Sequence, residues 1–487
     1  MGIVLNQSLK NTIITYIGFG IGGISTIFLF PSILGKTYYG LSNYILSCAN
    51  VIMPLFAIGM QNSLVKFYSQ CKTEKEQNQF LSFSVIFPLV FTIPILLLGL
   101  FFYDEISFFV TKKNPIVKEF IYLIPFIGLC MAYFEIFYAW ARVHMHSVFG
   151  NFIKEVGLRL FSLVALVGMY FGWITAVEFV YLTAGIYFFA LLITMLYAFR
   201  VKKPDFQLSL PHNVKGILEY TFYIILSGSV ANLLLDGDKI MLNQYMDIGN
   251  IAFYSVATYI ALVISVPSRA MHQIVYPITA KLMHDNKHDE LNDLYKKTSI
   301  NLQIVGGFVM LCIFVNINQL YDMLPKEYAG GIWIVFIIGI SKYFDLILGN
   351  NNAIIFNSKY YRMVLFLGLM LVFFTIVLNA IFIPLYGITG SAIATLLSIT
   401  IYSVAKLMFV VKRMHLYPFT IQTVYSIAIT AFLFGFFYFW EFPFHPIIGI
   451  VLKSFLVSIS YLYLNYRFAI SKEINQIITK YVVKIIK

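Results

Sequence analysis

Between Leu218 and Lys281 the chain puts fixed charge inside apolar sequence: LEYTFYIILSGSVANLLLDGDKIMLNQYMDIGNIAFYSVATYIALVISVPSRAMHQIVYPITAK. The first of two consecutive apolar helices carries Asp236, Asp238 and Lys239, and the second carries Arg269 with His272 one turn on. A charge at the bilayer centre costs roughly 2.5–3.5 kcal/mol on insertion scales, so such residues mark a partner, a wet cavity or a pathway. Thr258, Ser265, Arg269, His272 and Tyr276 recur at helical spacing and read as one polar stripe. A guanidinium on it offers a planar fork of donors to the paired oxygens of a diphosphate. The alternative is that Arg269 bonds backbone carbonyls or an acid on another helix. Asp236 and Lys239 stand at i,i+3, which suits an ion pair that lowers the burial cost. The same DxD also admits contact with substrate or a coupling ion, and more remotely a metal.

Other candidates are more ordinary. Lys342 and Asp345, again at i,i+3, read either as a neutralised pair or as cavity contacts. Lys453 sits shallow enough in its span to snorkel outward. Glu135 and Arg142 close one span and Lys154, Glu155 and Arg159 open the next, which suggests a charged network at the cytoplasmic edge that meets incoming headgroups. Asn43, Ser47, Asn50, Pro54 and Gln61 fall near one face of the second span; amides and hydroxyls there suit a sugar chain or glue helices together. Gly18, Gly20, Gly22 and Gly23 fit close packing. His144 and His146 are too isolated for a metal site, and Cys48, Cys71, Cys130 and Cys312 show no CxxC or metal spacing. No P-loop, GxSxG or HExxH is present, so neither a catalytic residue, an enzyme, a metal nor a cofactor is expected.

The elements that must position these residues are membrane helices. Of 487 residues, 60% are hydrophobic and 11% charged, with a mean hydropathy of +0.82. Apolar runs near twenty residues recur throughout, each able to cross a hydrocarbon core of about 30 Å. Fourteen spans are expected, at 11–33, 41–62, 80–102, 119–141, 151–171, 177–199, 217–243, 251–277, 298–318, 331–356, 363–383, 387–411, 421–439 and 446–466. With the N-terminus inside, the cytoplasmic segments hold twenty-five Lys and Arg, among them Lys406, Lys412 and Arg413, and the outer loops five. That bias places both termini in the cytoplasm, and it accounts for the net charge of +12 without nucleic acid. The loops are too short for a soluble domain, which argues against a glycan polymerase or ligase.

A faint repeat relates YYGLSNYILSCANVIMPLFAIGMQNSLVKFYSQ to NIAFYSVATYIALVISVPSRAMHQIVYPITAK, each with an early Tyr, a mid-helix proline and a Gln before a basic exit. The expected organisation is an all-α polytopic membrane protein: an N-lobe over 1–215, a C-lobe over 216–411, two added helices over 412–470, and a cationic amphipathic tail over 471–487 that lies on the inner leaflet.

Two six-span lobes with DGDKIMLNQYMDIGNIAFYSVATYI opening the second, the exit VYPITAKL, the turn IPLYGITGSAIAT, and YYGLSNY and GMQNSLVKFYS in the first lobe together resemble a polysaccharide flippase. That family belongs to the multidrug, oligosaccharidyl-lipid and polysaccharide (MOP) exporter superfamily. The resemblance implies two helical bundles around a central cavity that opens alternately to each side of a bacterial cytoplasmic membrane. The implied substrate is an oligosaccharide repeat on undecaprenyl diphosphate, carried from the inner to the outer leaflet. Substrate contacts then fall to Arg269, His272, Lys239, Lys342, Asn50 and Gln61, and gating or coupling to Asp236, Asp238, Asp345 and Glu135. Membrane lipids and glycan polymerase machinery are the implied partners; proton, sodium or membrane potential are the open choices for coupling. Lipid II flippases of this superfamily carry several arginines in the first lobe, and this chain has none in its first two spans. A multidrug cation antiporter of the same fold is the rival, and cations at Lys239, Arg269 and Lys342 argue against it.

Overall fold

The computed structural model describes residues 2–205, 210, 211, 213–360, 362–476, 479 and 480, with side chains for all of these except 2–6, 8, 9, 226, 227, 231, 270 and 273. Parts of the basic linker at 200–216 and of the tail from Ser471 therefore lie outside the described residues. Every regular element among the described residues is helical. Among the described residues, eleven helices are long and apolar enough to cross a membrane; a twelfth is bent by 46° between Val230 and Asn232. Three expected spans differ in form. Spans 363–383 and 387–411 run together over Arg362–Met414, broken by non-helical backbone at Gly387 (φ 59°, ψ −136°). The expected span 151–171 is a short helix, a π-helical turn at Ile153–Gly157 and a second helix. Hydropathy registers apolar length and is blind to such breaks.

The chain divides into two compact units, Met1–Ser255 and Val256–Lys487. In the first, α1 (Gly2–Ile24) is followed by α2 (Gly35–Ala57), α3 (Met60–Phe67), α4 (Glu74–Phe101), α5 (Leu123–Val143), α6 (Leu158–Tyr170), α7 (Ala176–Val201) and α8 (Val214–Tyr245). Helix α5 is the hub, packed against α2, α3 and α7. Its Ile136, Phe137 and Trp140 join Met60, Leu64 and Phe80 in one buried cluster. Helix starts follow local chemistry. Thr73 and Glu76 cap α4 reciprocally, and Thr175 and Glu178 do the same for α7, satisfying the otherwise open first N–H groups. Helix α8, placed in the second lobe by an expected boundary at 215/216, packs on α2 and α3 within this unit.

The second unit opens within α9 (Gly249–Leu262) and continues through α10 (Val266–His284), α11 (His288–Val315), α12 (Ile332–Ile347), α13 (Asn351–Asn357), α14 (Arg362–Met414), α15 (Ile421–Tyr438) and α16 (Pro446–Arg467). Helix α11 packs against α10, α12, α15 and α16. Ile304, Leu311, Leu433, Val457 and Tyr461 form the buried seam with the last two helices.

Both repeat segments are broken near their prolines, in different ways. After Pro54 the chain turns through left-handed Ile58 (φ 47°) and Gly59 (φ 63°) into α3. Ahead of Pro267, a 3-10 turn at Val263–Ser265 separates α9 from α10. Proline lacks the N–H that would continue the helix, so a local break is the expected response.

Candidate functional site

In the first unit the buried carboxylate of Asp236 is fully engaged. Its Oδ1 accepts from Ser47 Oγ at 2.8 Å and from Lys239 Nζ at 3.0 Å, and its Oδ2 accepts from Asn50 Nδ2 at 2.6 Å. The i,i+3 ion pair expected of Asp236 and Lys239 is therefore present. The Asn50 amide, expected to meet sugar, spends its donor on Asp236, and its backbone carbonyl accepts from Asn232 Nδ2 at 2.6 Å. Asp238, on the same helix, is also buried and accepts from Tyr254 Oη at 2.5 Å. The two carboxylates of the DxD thus take different partners, and no group of three metal-ligating side chains occurs among the described residues. These polar contacts tie α2 and α9 to α8. In lipid, where apolar contact gives little net drive, such bonds contribute about 0.6 kcal/mol each and at most ~1.7.

The second unit holds a polar cavity of about 10 Å³ among apolar helices, lined by Ser268, His272, Asp345, Asn351, Asn352 and Lys406. A cavity of that size holds about one water. Lys406 is 2% exposed. Its Nζ lies 3.1 Å from Asn352 Oδ1 and 3.5 Å from Asp345 Oδ1, and 4.3 Å from the centre of the Tyr402 ring. His272 Nδ1 and Asn351 Oδ1 are buried without a hydrogen-bond partner. The cavity therefore presents one cation, one carboxylate, an imidazole and open amide valence. Such a set can hold an anionic group or pass a proton.

Lys406 corrects the sequence reading, which put it in the cytoplasmic loop with Lys412 and Arg413. Its signal was its face: Ser403, Lys406 and Val410 share the buried stripe of α14. Asp345 pairs with Lys406, which reaches it from α14, and lines the cavity, the second of the two roles considered for it. Lys342 is half-buried on α12. Arg269 is exposed on α10, and the stripe that runs to it from Thr258 is divided by the 3-10 turn at Val263–Ser265. Tyr276 packs edge-on against Phe356.

Gln61, at the start of α3, keeps a buried Oε1 without a partner. Glu135 accepts from Lys154 Nζ at 2.5 Å, and Arg159 pairs with Glu155 at 3.1 Å. These groups stand together as two direct ion pairs, with Glu155 also acting on Lys154 and the Arg142 guanidinium lying over the Tyr138 ring. Nearby, His144 Nδ1 faces the Trp140 carbonyl at 2.8 Å, which requires a proton there, and its Nε2 lies 2.9 Å from Tyr68 Oη, whose hydroxyl also reaches Gln77 Oε1 at 3.2 Å. Burial, reinforced by Cys71 and Glu74, pushes the Tyr68 phenol up to about 12. Lys453 does not snorkel: it is 1% exposed and donates to the Val315 carbonyl at 2.9 Å, capping the end of α11.

The comparisons agree with this architecture. The chain resembles a lipid II flippase, MurJ, solved in an inward closed conformation, with a TM-score of 0.74 at 17% identity over 95% of this chain and 99% of that one. It resembles an outward-facing multidrug MATE transporter of the MOP superfamily less closely, with a TM-score of 0.54 at 13% identity over 88% and 96% of the two chains. The fold is thus that of MOP transporters. In sequence, the probable flippase AglR of Haloferax volcanii is 23% identical over 37% of this chain, and the matched region spans only 39% of that protein. The family described as polysaccharide biosynthesis protein matches residues 8–283. A multi-pass membrane protein with this fold and that match over more than half its length is a member of the polysaccharide biosynthesis protein family.

Proposed function

We propose that the protein is a transporter that flips a lipid-linked oligosaccharide, carried on undecaprenyl diphosphate, from the inner to the outer leaflet of a bacterial cytoplasmic membrane, with both termini inside. The observation that carries this reading is the cavity around Lys406, a buried cation with an imidazole and open amides inside helices otherwise suited to lipid. A charge held at that depth serves a pathway, and a cation there suits a diphosphate better than a cationic drug. Since the cavity holds about one water in this state, the diphosphate reaches Lys406 in this proposal only when the surrounding helices part during alternating access. Arg269, on α10 with His272, is the second diphosphate contact in this proposal. Alternating access moves the headgroup while the lipid tail stays in the bilayer. Two negative charges moving outward across an inside-negative membrane gain on the order of 4–5 kcal/mol per 100 mV, so the potential is a sufficient drive; proton or sodium antiport are the alternatives.

The test is deletion in the native host followed by complementation. Loss of one surface polysaccharide with its lipid-linked repeat accumulating inside, restored by wild type but not by Lys406→Met or Arg269→Ala, supports the proposal. Accumulation of a peptidoglycan precursor would move the substrate to lipid II. Intact glycans with raised sensitivity to cationic drugs would overturn the reading in favour of a multidrug antiporter.

A further inference from the structure

A second cavity, of about 180 Å³, lies wholly within the first unit, between the second half of the α1 span and helices α2, α6 and α7. It is smaller than the ~300–1,000 Å³ of drug-sized sites. Two π-helical turns adjoin it, Ser25–Leu29 and Ile153–Gly157, and such turns concentrate at functional sites. The first places Ser25 and Thr26 on the wall; just past the second come Leu158, Arg159 and Ser162.

The wall has a specific hydrogen-bonding polarity. Ser25 Oγ donates to the Ile21 carbonyl, Ser162 Oγ to Leu158 O at 2.9 Å, and Thr183 Oγ1 to Phe179 O at 3.0 Å. Each of these hydroxyls has its one proton committed to its own helix, so it presents lone pairs. Asn43 donates its Nδ2 to Tyr39 O at 2.9 Å, which leaves Oδ1 as a further acceptor. Ser42 is different: it is 7% exposed, lines the cavity, and its Oγ has no partner. A buried hydroxyl without a bond is costly to keep. Arg159 holds Glu155 through Nη1, leaving the rest of its fork for a ligand oxygen. The lining also holds aromatic rings. Phe30 and Tyr39 stack at 5.1 Å with 5° between planes, and Phe179 meets Phe30 edge-on at 6.0 Å.

A wall of acceptors selects a ligand rich in O–H donors, and aromatic faces select one with an apolar C–H face. A pyranose ring has both. We propose that this cavity is a monosaccharide subsite, which takes one sugar ring of the translocated glycan with Ser42 as its buried anchor. The sugar assignment rests on the flippase reading; binding can be tested without it.

The experiment uses the full-length protein in lipid nanodiscs, free of sugar detergents, and saturation-transfer NMR. The probes are a methyl hexopyranoside, a methyl N-acetylhexosaminide and a methyl hexuronide, with glycerol as the mimic of a lipid headgroup polyol. Wild type is expected to saturate at least one pyranoside and not glycerol. Ser42→Ala and Thr183→Val are each expected to weaken that binding about five- to tenfold, the value of one or two hydrogen bonds. Thermal stability separates the roles: Ser42→Ala removes an unpartnered buried hydroxyl, so its midpoint should be unchanged or higher. No saturation by any pyranoside, equal binding in the variants, or preference for glycerol overturns the subsite. Failure of the flippase reading would show instead as intact surface glycans on deletion, which leaves these binding readouts standing.

Discussion

The Lys406 ammonium, with a side chain 3% exposed, lies 3.5 Å from the Asp345 carboxylate, whose own side chain is 51% exposed. The pair is asymmetric, and the asymmetry sets the sign of a test. Asp345→Asn leaves a buried ammonium facing only neutral groups, whereas Lys406→Met leaves a carboxylate that is already half solvated. Removing one partner of a fully buried pair costs ~3–5 kcal/mol, and exposed pairs contribute ~0–1. Asp345→Asn is expected to fall near the lower end of the first range, at about 3 kcal/mol, and Lys406→Met to cost about 1. Thermal melts of the purified variants in detergent would check the order; the reverse order would put the buried charge elsewhere.

Asp236 holds three side chains from two helices. Asp236→Ala is expected to cost about 2 kcal/mol, at ~0.6 kcal/mol per interhelical bond in membranes plus the unpaired Lys239. A double-mutant cycle of Asp236→Asn with Lys239→Met should show coupling of ~0.5 kcal/mol or more. Additive effects would mean that the pair contributes nothing of its own.

Gly40 and Gly20 form a matched control for helix packing. A Cβ on Gly40 would sit 2.1 Å from the Ile248 carbonyl oxygen, while one on Gly20 meets nothing within 4 Å. Gly40→Ala is expected to lose about 1–3 kcal/mol by overpacking. Gly20→Ala should be neutral or slightly stabilising, because alanine is the better helix former.

Cys71 reports orientation. Cys48 and Cys130 are buried, and Cys312 lies within a candidate span. Burial first, and then the charge of Glu76, raise the Cys71 thiol above its usual range. The thiolate is therefore scarce at neutral pH, and labelling by an impermeant maleimide should climb with pH by up to about tenfold per unit. With the termini inside, that labelling occurs in inverted vesicles and not in intact cells. The opposite pattern would reverse the topology.

Much of the fold was written in the hydropathy, and local ion pairs were legible because i,i+3 spacing is visible along one helix: Asp236 and Lys239 pair as expected. The contacts that assemble the sites were not. Ser47 and Asn50 reach Asp236 across 189 and 186 residues, and no local pattern joins them. Lys406 read as loop because Lys412 and Arg413 follow it on the same helix; only the stripe it shares with Ser403 and Val410 showed it facing inward. The π-helical turns beside the 180 Å³ cavity leave no mark in composition, since one extra residue in a turn changes phase and not hydropathy.

Helix α2 serves two structures at once. Its first turns give Tyr39, Ser42 and Asn43 to the cavity, and Ser47 and Asn50, further along, hold Asp236. Any sliding or rotation of this one helix must be felt at both ends. A ligand that favours one seating of α2 therefore changes the strength of the grip on α8, and by reciprocity that grip changes the ligand's affinity by the same factor. The helix is a shared lever, and the sugar-sized cavity is one place to push it.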